Sequence, residues 1–232
     1  MADMRTGDWE QSSSADPYVA EREAMVENQI RRRGLNDERV LRAMASVPRH
    51  EFVPRASRSL AYADEPLGIG GGQTISQPFI VAVMTAALKL VGTERVLEIG
   101  TGCGYQSAVL ALLAREVYSV ELRSDLAQSA AERLKRLGFE NVHVHCGDGS
   151  VGLKEVAPFD AILLAAAAPA VPSPLLEQMS DGGRLIAPVG GEDHQQLMLI
   201  TRRDGEYRQQ RREHCRFVPL VGRHGWKLGE LL

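Results

Sequence analysis

From residue 95 onward, short apolar runs alternate with amphipathic stretches. Residues 96–99 are apolar and partly β-branched except at Glu98, residues 116–120 follow suit, residues 141–146 alternate with period two, and residues 159–167 are apolar throughout after Asp160. Each run reads as a strand, the last as one buried on both faces. Between them, residues 105–114 are apolar and alanine-rich, and residues 124–137 carry a helical period stopped by Gly138. Both read as helices. Residues 174–179 read as a short helix, Gly182-Gly183 turns into a fifth strand over 184–189, and 197–201 reads as a sixth. Repeated β-α-β units with connections of this length predict an α/β fold with a doubly wound, mostly parallel sheet covered on both faces.

The pattern before residue 95 is different. Residues 1–15 are polar, serine-rich and aperiodic, and read as the bulk of a disordered leader spanning 1–16. Asp16-Pro17 offers an N-cap and a first-turn proline for a helix running to Arg33, with Gly34 as its left-handed stop. Arg31-Arg32-Arg33 is either a basic patch or a solvated last turn that complements the helix dipole. Asn36 is the expected cap of a second helix striped by Val40, Leu41, Met44 and Val47 and ended by Pro48. Residues 48–54 form a proline-bracketed loop, in which His50 is either catalytic or held by a carboxylate. Residues 62–67 look extended and polar. Ile80, Met84, Ala87 and Leu88 mark a third helix with Pro78 in its first turn.

Composition narrows the function classes. The 232 residues are 44% hydrophobic and 25% charged, with net charge −3, as in globular domains. Neither nucleic acid nor membrane is an expected partner, and no run approaches the roughly 20 apolar residues of a membrane span. The N-terminus lacks the order of a signal peptide. Cys103, Cys146 and Cys215 form no C-x-x-C pair, so neither a disulfide framework nor a metal site is expected, and the cytoplasm is the simplest compartment. The expected organisation is one domain over 17–232: a helical and loop part (17–90), a ligand-binding core (91–200) and a closing segment (201–232), in a chain read as a monomer. Residues 201–232 hold eight Lys or Arg against four acids, leaving about −7 on the rest (−3 minus +4). That tail is either a basic face for an acidic substrate or a solvated hairpin. Residues 216–221 are apolar enough to fold back, and the chain from Gly225 is expected to fray.

The chemistry concentrates where strands end. After the first core strand come Gly100, Gly102 and Gly104, which let bare backbone approach a ligand. The spacing is G-x-G-x-G, with Tyr105 at the sixth position, instead of the G-x-G-x-x-G that meets a pyrophosphate. Glu98 suits a ligand with a cationic end, and Glu121, ending the second strand, can accept both hydroxyls of a ribose. Asp148, between Gly147 and Gly149, either reaches an adenine amino group or makes an Asx turn. S-adenosylmethionine has a ribose, an adenine, an ammonium and a sulfonium, and no phosphate; a turn that binds nothing is the bland alternative. Residues 165–168 supply small side chains where the ligand's reactive end would lie. A second loop, Ile69-Gly70-Gly71-Gly72-Gln73-Thr74-Ile75-Ser76-Gln77-Pro78, carries three glycines able to lie flat on a ligand and two hydroxyls. Ser76 is either the N-cap of the third helix or a hydroxyl facing the reaction centre.

With residues 47–54, 72–78, 97–106, 147–149, 166–169, 188–190 and 217–220 in this order, the chain resembles the protein-L-isoaspartate O-methyltransferase family over roughly residues 20–222. The resemblance implies a Rossmann-like S-adenosylmethionine-dependent methyltransferase fold with an N-terminal helical extension. It also implies methyl transfer to the free carboxylate of L-isoaspartyl residues, starting repair through a succinimide, with isoaspartyl peptides and unfolded or aged proteins as partners. It makes Ser76 the active-site serine, puts Ile69–Gly72, Gly100, Glu121, Asp148 and Gly149 at the cofactor, and aligns Val221 with the segment that closes over the substrate. Thr74 is expected to touch both ligands and Ile75 the substrate; Glu98, Gly102 and Gly104 complete the expected cofactor set. Ala165, Leu153 and Cys103 depart from the family pattern. The competing expectations are a methyltransferase for another substrate, an NAD-dependent oxidoreductase, and a non-catalytic binding protein. The G-Q-T-I-S-Q-P loop speaks against the first, the glycine spacing against the second, and the retained Glu121 and Asp148 against the third.

Overall fold

The computed structural model describes residues 16–191 and 194–227. The expected leader over 1–15 and residues 228–232 lie outside the described residues.

The N-terminal helix is one continuous path in three pitches: helix α1 (Val19–Met25), a π-helical stretch (Val26–Ile30) and a 3-10 turn (Arg31–Arg33), stopped by Gly34 at φ 94°. Asp16 belongs to this structure, not to a leader, since it accepts the Tyr18 N–H (2.9 Å) and pairs with Arg22 (2.8 Å). The arginine triplet is engaged by acids of the same chain: Arg31 with Glu38 (2.6 Å), Arg32 with Glu27 (3.5 Å) and Arg33 with Asp64 (2.8 Å). That favours the solvated last turn over the partner patch. Helix α2 (Glu38–Ser46) is capped by Asp37 and not by Asn36. The Asp37 carboxylate accepts the N–H groups of Arg39 and Val40, which a side chain one residue earlier would not reach.

Residues 62–67 are not an extended polar run. Tyr62 is buried, and the chain turns before strand β1 (Leu67–Gly70), which pairs antiparallel with β2 (Gln73–Ile75). The three glycines therefore make a hairpin turn. Helix α3 (Pro78–Ala87) follows, with Gln77 at its N-cap position and no side-chain cap.

The core then alternates as expected as far as α6: β3 (Arg95–Ile99), α4 (Tyr105–Ala111), β4 (Glu116–Glu121), α5 (Ser124–Arg136), β5 (Val142–Cys146), β6 (Phe159–Leu164) and α6 (Ser173–Glu177). Strand β7 (Met179–Gly190) starts earlier than expected and contains Gly182-Gly183, and β8 (Gln195–Arg203) is followed by a strand that was not expected, β9 (Glu206–Cys215). Strand order is β5-β4-β3-β6-β7-β8-β9. The first five are parallel, and β7-β8-β9 is an antiparallel meander. Strands β3 and β6 are almost wholly buried, as central parallel strands with both faces covered must be. They also flank the point where the chain order reverses, which in open α/β sheets opens a crevice beyond the strands' carboxyl ends. Strand β9 is exposed nearly throughout, and its arginines line a free edge, a device that discourages edge-to-edge pairing.

The chain after β9 does fold back. Ala167 donates to Val218 O and Leu220 N–H returns to Ala167 O (both 2.8 Å). Residues from Gly225 do not fray at once: the Trp226 backbone N–H reaches Leu220 O (2.7 Å) and its indole N–H reaches Ala167 O (3.1 Å).

Candidate active site

A cleft opens at the carboxyl ends of β3, β4 and β6. Its wall combines Gln73–Ser76, Gly100–Cys103, Glu121–Arg123, Gly149, Ala165-Ala166 and Val218–Val221. The wall thus brings β2 and the residue after it, from before the core, and the returning tail, from after it, against the glycine turn and the other strand ends.

The turn is built from left-handed backbone. Gly100, Gly102 and Gly104 have φ of 93°, 54° and 90°, conformations that L side chains resist. Glu121 braces it: Oε2 accepts the Gly102 N–H (2.8 Å) and Oε1 the Arg123 N–H (3.0 Å). Each oxygen retains a lone pair for a further donor, so an acid that holds the turn remains able to receive hydroxyls. Gly104 faces away from the cleft. A Cβ there would meet Leu134 of α5 at 3.1 Å, so this glycine serves helix packing instead of ligand approach.

Glu98 is fully buried in β3, behind the wall. Its Oε2 accepts from the hydroxyls of Ser107 and Ser119, while Oε1 is a buried acceptor with no partner. Burial pushes its carboxyl up to about 7, against the two serine hydrogen bonds and with help from Glu121. Glu98 does not line the cleft, so its charge would act on a ligand only from behind the wall, where it suits a cation better than a phosphate.

Ser76 and its loop neighbours Thr74 and Ile75 lie on the wall. Gln77 holds the cap position of α3, so Ser76 is not the cap. Its hydroxyl makes no hydrogen bond among the described residues, while its carbonyl accepts from Arg49 (2.8 Å). Ile69, Gly70, Gly71 and Gly72 belong to the β1-β2 hairpin and are not among the residues lining the cleft. Ile69 comes close to the glycine turn, since a Cβ on Gly102 would meet its Cδ1 at 3.3 Å. Gly71 sits on the Arg123 guanidinium and accepts from it at 3.4 Å.

Asp148 is set back from the wall, while Gly149 is on it. Its Oδ1 accepts from the Ser150 N–H (2.9 Å) and hydroxyl (2.6 Å), and its Oδ2 accepts the Arg223 N–H (2.8 Å). Burial alone would raise its carboxyl, but the Arg223 and Ser150 hydrogen bonds hold it below the ordinary value. Asp148 therefore makes the Asx-type turn and fastens the tail. The tail passes so close that a Cβ on Gly222 would lie 2.1 Å from Oδ1.

His50 is not at the cleft. It stacks on Tyr18 (4.3 Å between centroids), and its Nδ1 shares a 2.8 Å hydrogen bond with the Tyr62 hydroxyl. Its nearest carboxylate, Glu51, is 3.8 Å away, so an aromatic cluster holds this ring more closely than an acid does. Sequence reasoning missed Gln73 and Arg123 on the wall. Arg123 had a signal: it follows Glu121 by two residues at a strand's carboxyl end.

Comparison with known proteins agrees with this geometry. The family model described as protein-L-isoaspartate(D-aspartate) O-methyltransferase matches residues 20–225. A protein-L-isoaspartate O-methyltransferase of Roseiflexus castenholzii is 53% identical over 209 residues, 90% of this chain and 95% of its own length. One of Methanoculleus marisnigri is 52% identical over 213 residues, 92% and 97% of the two chains. A solved structure from Plasmodium falciparum, described as a putative protein-L-isoaspartate O-methyltransferase in complex with S-adenosyl-L-homocysteine, is 27% identical with a TM-score of 0.74, covering 86% of this chain and 98% of that one. With half its residues shared along nine-tenths of its length, and with a family match spanning both the glycine turn and the closing tail, this chain belongs to the protein-L-isoaspartate(D-aspartate) O-methyltransferase family.

Proposed function

We propose that the cleft transfers the methyl group of S-adenosylmethionine to the free carboxylate of L-isoaspartyl residues in damaged peptides and proteins. The observation that carries this reading is the meeting of an uncommitted Ser76 hydroxyl with the glycine turn and Glu121 in one cleft. When bound, the cofactor supplies a methyl group on a sulfonium and leaves as S-adenosylhomocysteine. Gly100, Gly102 and Gly149 give its backbone-lined seat, Glu121 receives the ribose hydroxyls, the buried Glu98 carboxyl acts on its cationic end from behind the wall, and Asp148 lies behind the adenine.

The acceptor needs no general base. A carboxylate with an ordinary value near 4 is already ionised at neutral pH. The chain's task is to orient it and keep water out. Ser76 donates a hydrogen bond to one carboxylate oxygen, Thr74 and Ile75 carry the neighbouring peptide backbone, and Val221 closes the far side. Alignment of this kind contributes several kcal/mol to such a step, and exclusion of water favours an anion and a cation combining into neutral products. Esterification gives the acyl carbon a methoxy leaving group where the carboxylate offered only an oxide. Attack by the following backbone nitrogen expels methanol and gives a succinimide, which opens partly to normal aspartate.

Isoaspartyl peptides and unfolded or aged proteins are the partners in this reading, and the chain acts as a monomer. No helix of the described residues is long and apolar enough to cross a membrane. The free cysteines Cys103, Cys146 and Cys215 suit a reducing cytoplasm. The test is transfer of labelled methyl to paired peptides, one isoaspartyl and one aspartyl. Labelling of the first alone is expected. Equal labelling of both, or labelling of neither while the cofactor binds, would assign the cleft to another substrate.

A further inference from the structure

Arg49 is wholly buried, and it is the largest fully buried side chain among the described residues. Its Nε donates to Ala61 O (2.7 Å) and its Nη2 to Ser76 O (2.8 Å), while its guanidinium carbon lies 4.8 Å from the centre of the Tyr105 ring. Nη1 is buried with no hydrogen-bond partner. No ion pair joins Arg49 to a carboxylate among the described residues. The other buried arginine, Arg22, is matched by Asp16 at 2.8 Å.

A guanidinium stays protonated even when buried, and a buried charge without a counter-ion is costly. A strut between two carbonyls needs donors but no charge. Ser76 and Tyr105, which grip this cation, both belong to the cleft wall. The positive charge therefore sits one layer behind the hydroxyl that meets the substrate, where low dielectric lets it act at a distance.

We propose that Arg49 is a positioning residue with two roles: it anchors the Ser76 backbone so that the hydroxyl faces the cleft, and it lends the Ser76 subsite a preference for an anionic carboxyl over a neutral one. The missing counter-ion is then the substrate itself. This rests on the isoaspartyl reading above.

The experiment uses two peptides that differ only in charge: an isoaspartyl peptide and its isoasparaginyl amide. Their dissociation constants are measured by calorimetry with S-adenosylhomocysteine bound. The wild type should favour the acid, and Arg49→Gln should cut that preference at least tenfold while S-adenosylhomocysteine affinity stays within threefold. Parallel weakening of both peptides would reduce Arg49 to a strut and overturn the charge role. Arg49→Lys keeps the charge but not the reach to both carbonyls. It should retain most of the acid preference with kcat down at least tenfold, and this variant carries the test should Arg49→Gln not fold. Wild-type kcat in Arg49→Lys would overturn the anchoring role, and loss of preference in it would overturn the charge role. A wild type that binds neither peptide would instead sink the isoaspartyl reading, and this proposal with it.

Discussion

Glu98 offers the sharpest quantitative test. Its ordinary carboxyl value of 4.5 is raised to about 7 in the folded chain, first by burial, against hydrogen bonds from Ser107 and Ser119. The folded protein therefore keeps a proton that the unfolded chain has already released between pH 4.5 and about 7. Stability from this group is fully present below 4.5 and is lost as pH rises through about 7. Each pH unit of displacement is worth about 1.4 kcal/mol, so the loss across the window is about 3 kcal/mol. Glu98→Gln keeps a side-chain oxygen for the two serine hydroxyls and removes the titration. Urea unfolding at pH 5, 6, 7 and 8 should show the wild type losing about 2.5 kcal/mol relative to the variant between the extremes, since part of the window lies below pH 5. A cationic ligand in the cleft, on the other side of the wall from Glu98, would favour the ionised form. Binding of S-adenosylmethionine near pH 6 should then expel a proton, visible as a calorimetric heat that depends on buffer ionisation enthalpy, and the variant should expel none. Parallel stability profiles for the two proteins would refute the buried titration. Equal proton release by both would refute the assignment of Glu98 to the ligand's cation.

Other changes give separable outcomes. Ser76→Ala should lower kcat by at least tenfold, on the order expected for loss of one aligned donor, with Tm and cofactor affinity unchanged because Ser76 caps no helix; loss of cofactor binding would contradict this. Gly222→Ala places a carbon 2.1 Å from Asp148 Oδ1, so it should push the tail off its latch and raise the cofactor KM, while urea unfolding shows a loss of no more than about 1–3 kcal/mol. An unchanged KM would detach the tail from the cofactor site. Asp37→Ala removes the acceptor of two first-turn N–H groups and should cost about 1 kcal/mol in urea unfolding with no change in kcat.

Much of the core was legible because its signals are local. Strands β3, β4 and β6 carry largely buried apolar runs, β3, β4 and β5 end at glycine or acid beside the crevice, and Gly138 stops α5. The errors fall where tertiary context overrides local chemistry. Asn36 and Asp37 are both competent caps, and only the backbone's entry angle chooses Asp37. Gly70 to Gly72 read as a ligand-facing loop; pairing of Leu67 with Ile75 and Gly68 with Thr74, which no local signal announces, makes them a hairpin turn. Strand β9 has no apolar alternation, since nearly all of it is exposed, and it exists because β8 offers it a partner. Glu98 looked like a direct ligand contact, yet strand alternation buries it beneath the turn. Arg49 gave no signal, because the carbonyls it joins, Ala61 and Ser76, lie 12 and 27 residues away.

The tail's return to Ala167 also bears on when the enzyme can begin work. A chain still being synthesised has its glycine turn, Glu121 and Asp148 in hand once β6 has emerged. The far wall, Val218–Val221, arrives more than fifty residues later, and its latch at Arg223 later still. Until those residues leave the ribosome the crevice lacks that wall, so a complete site is assembled only at the end of synthesis.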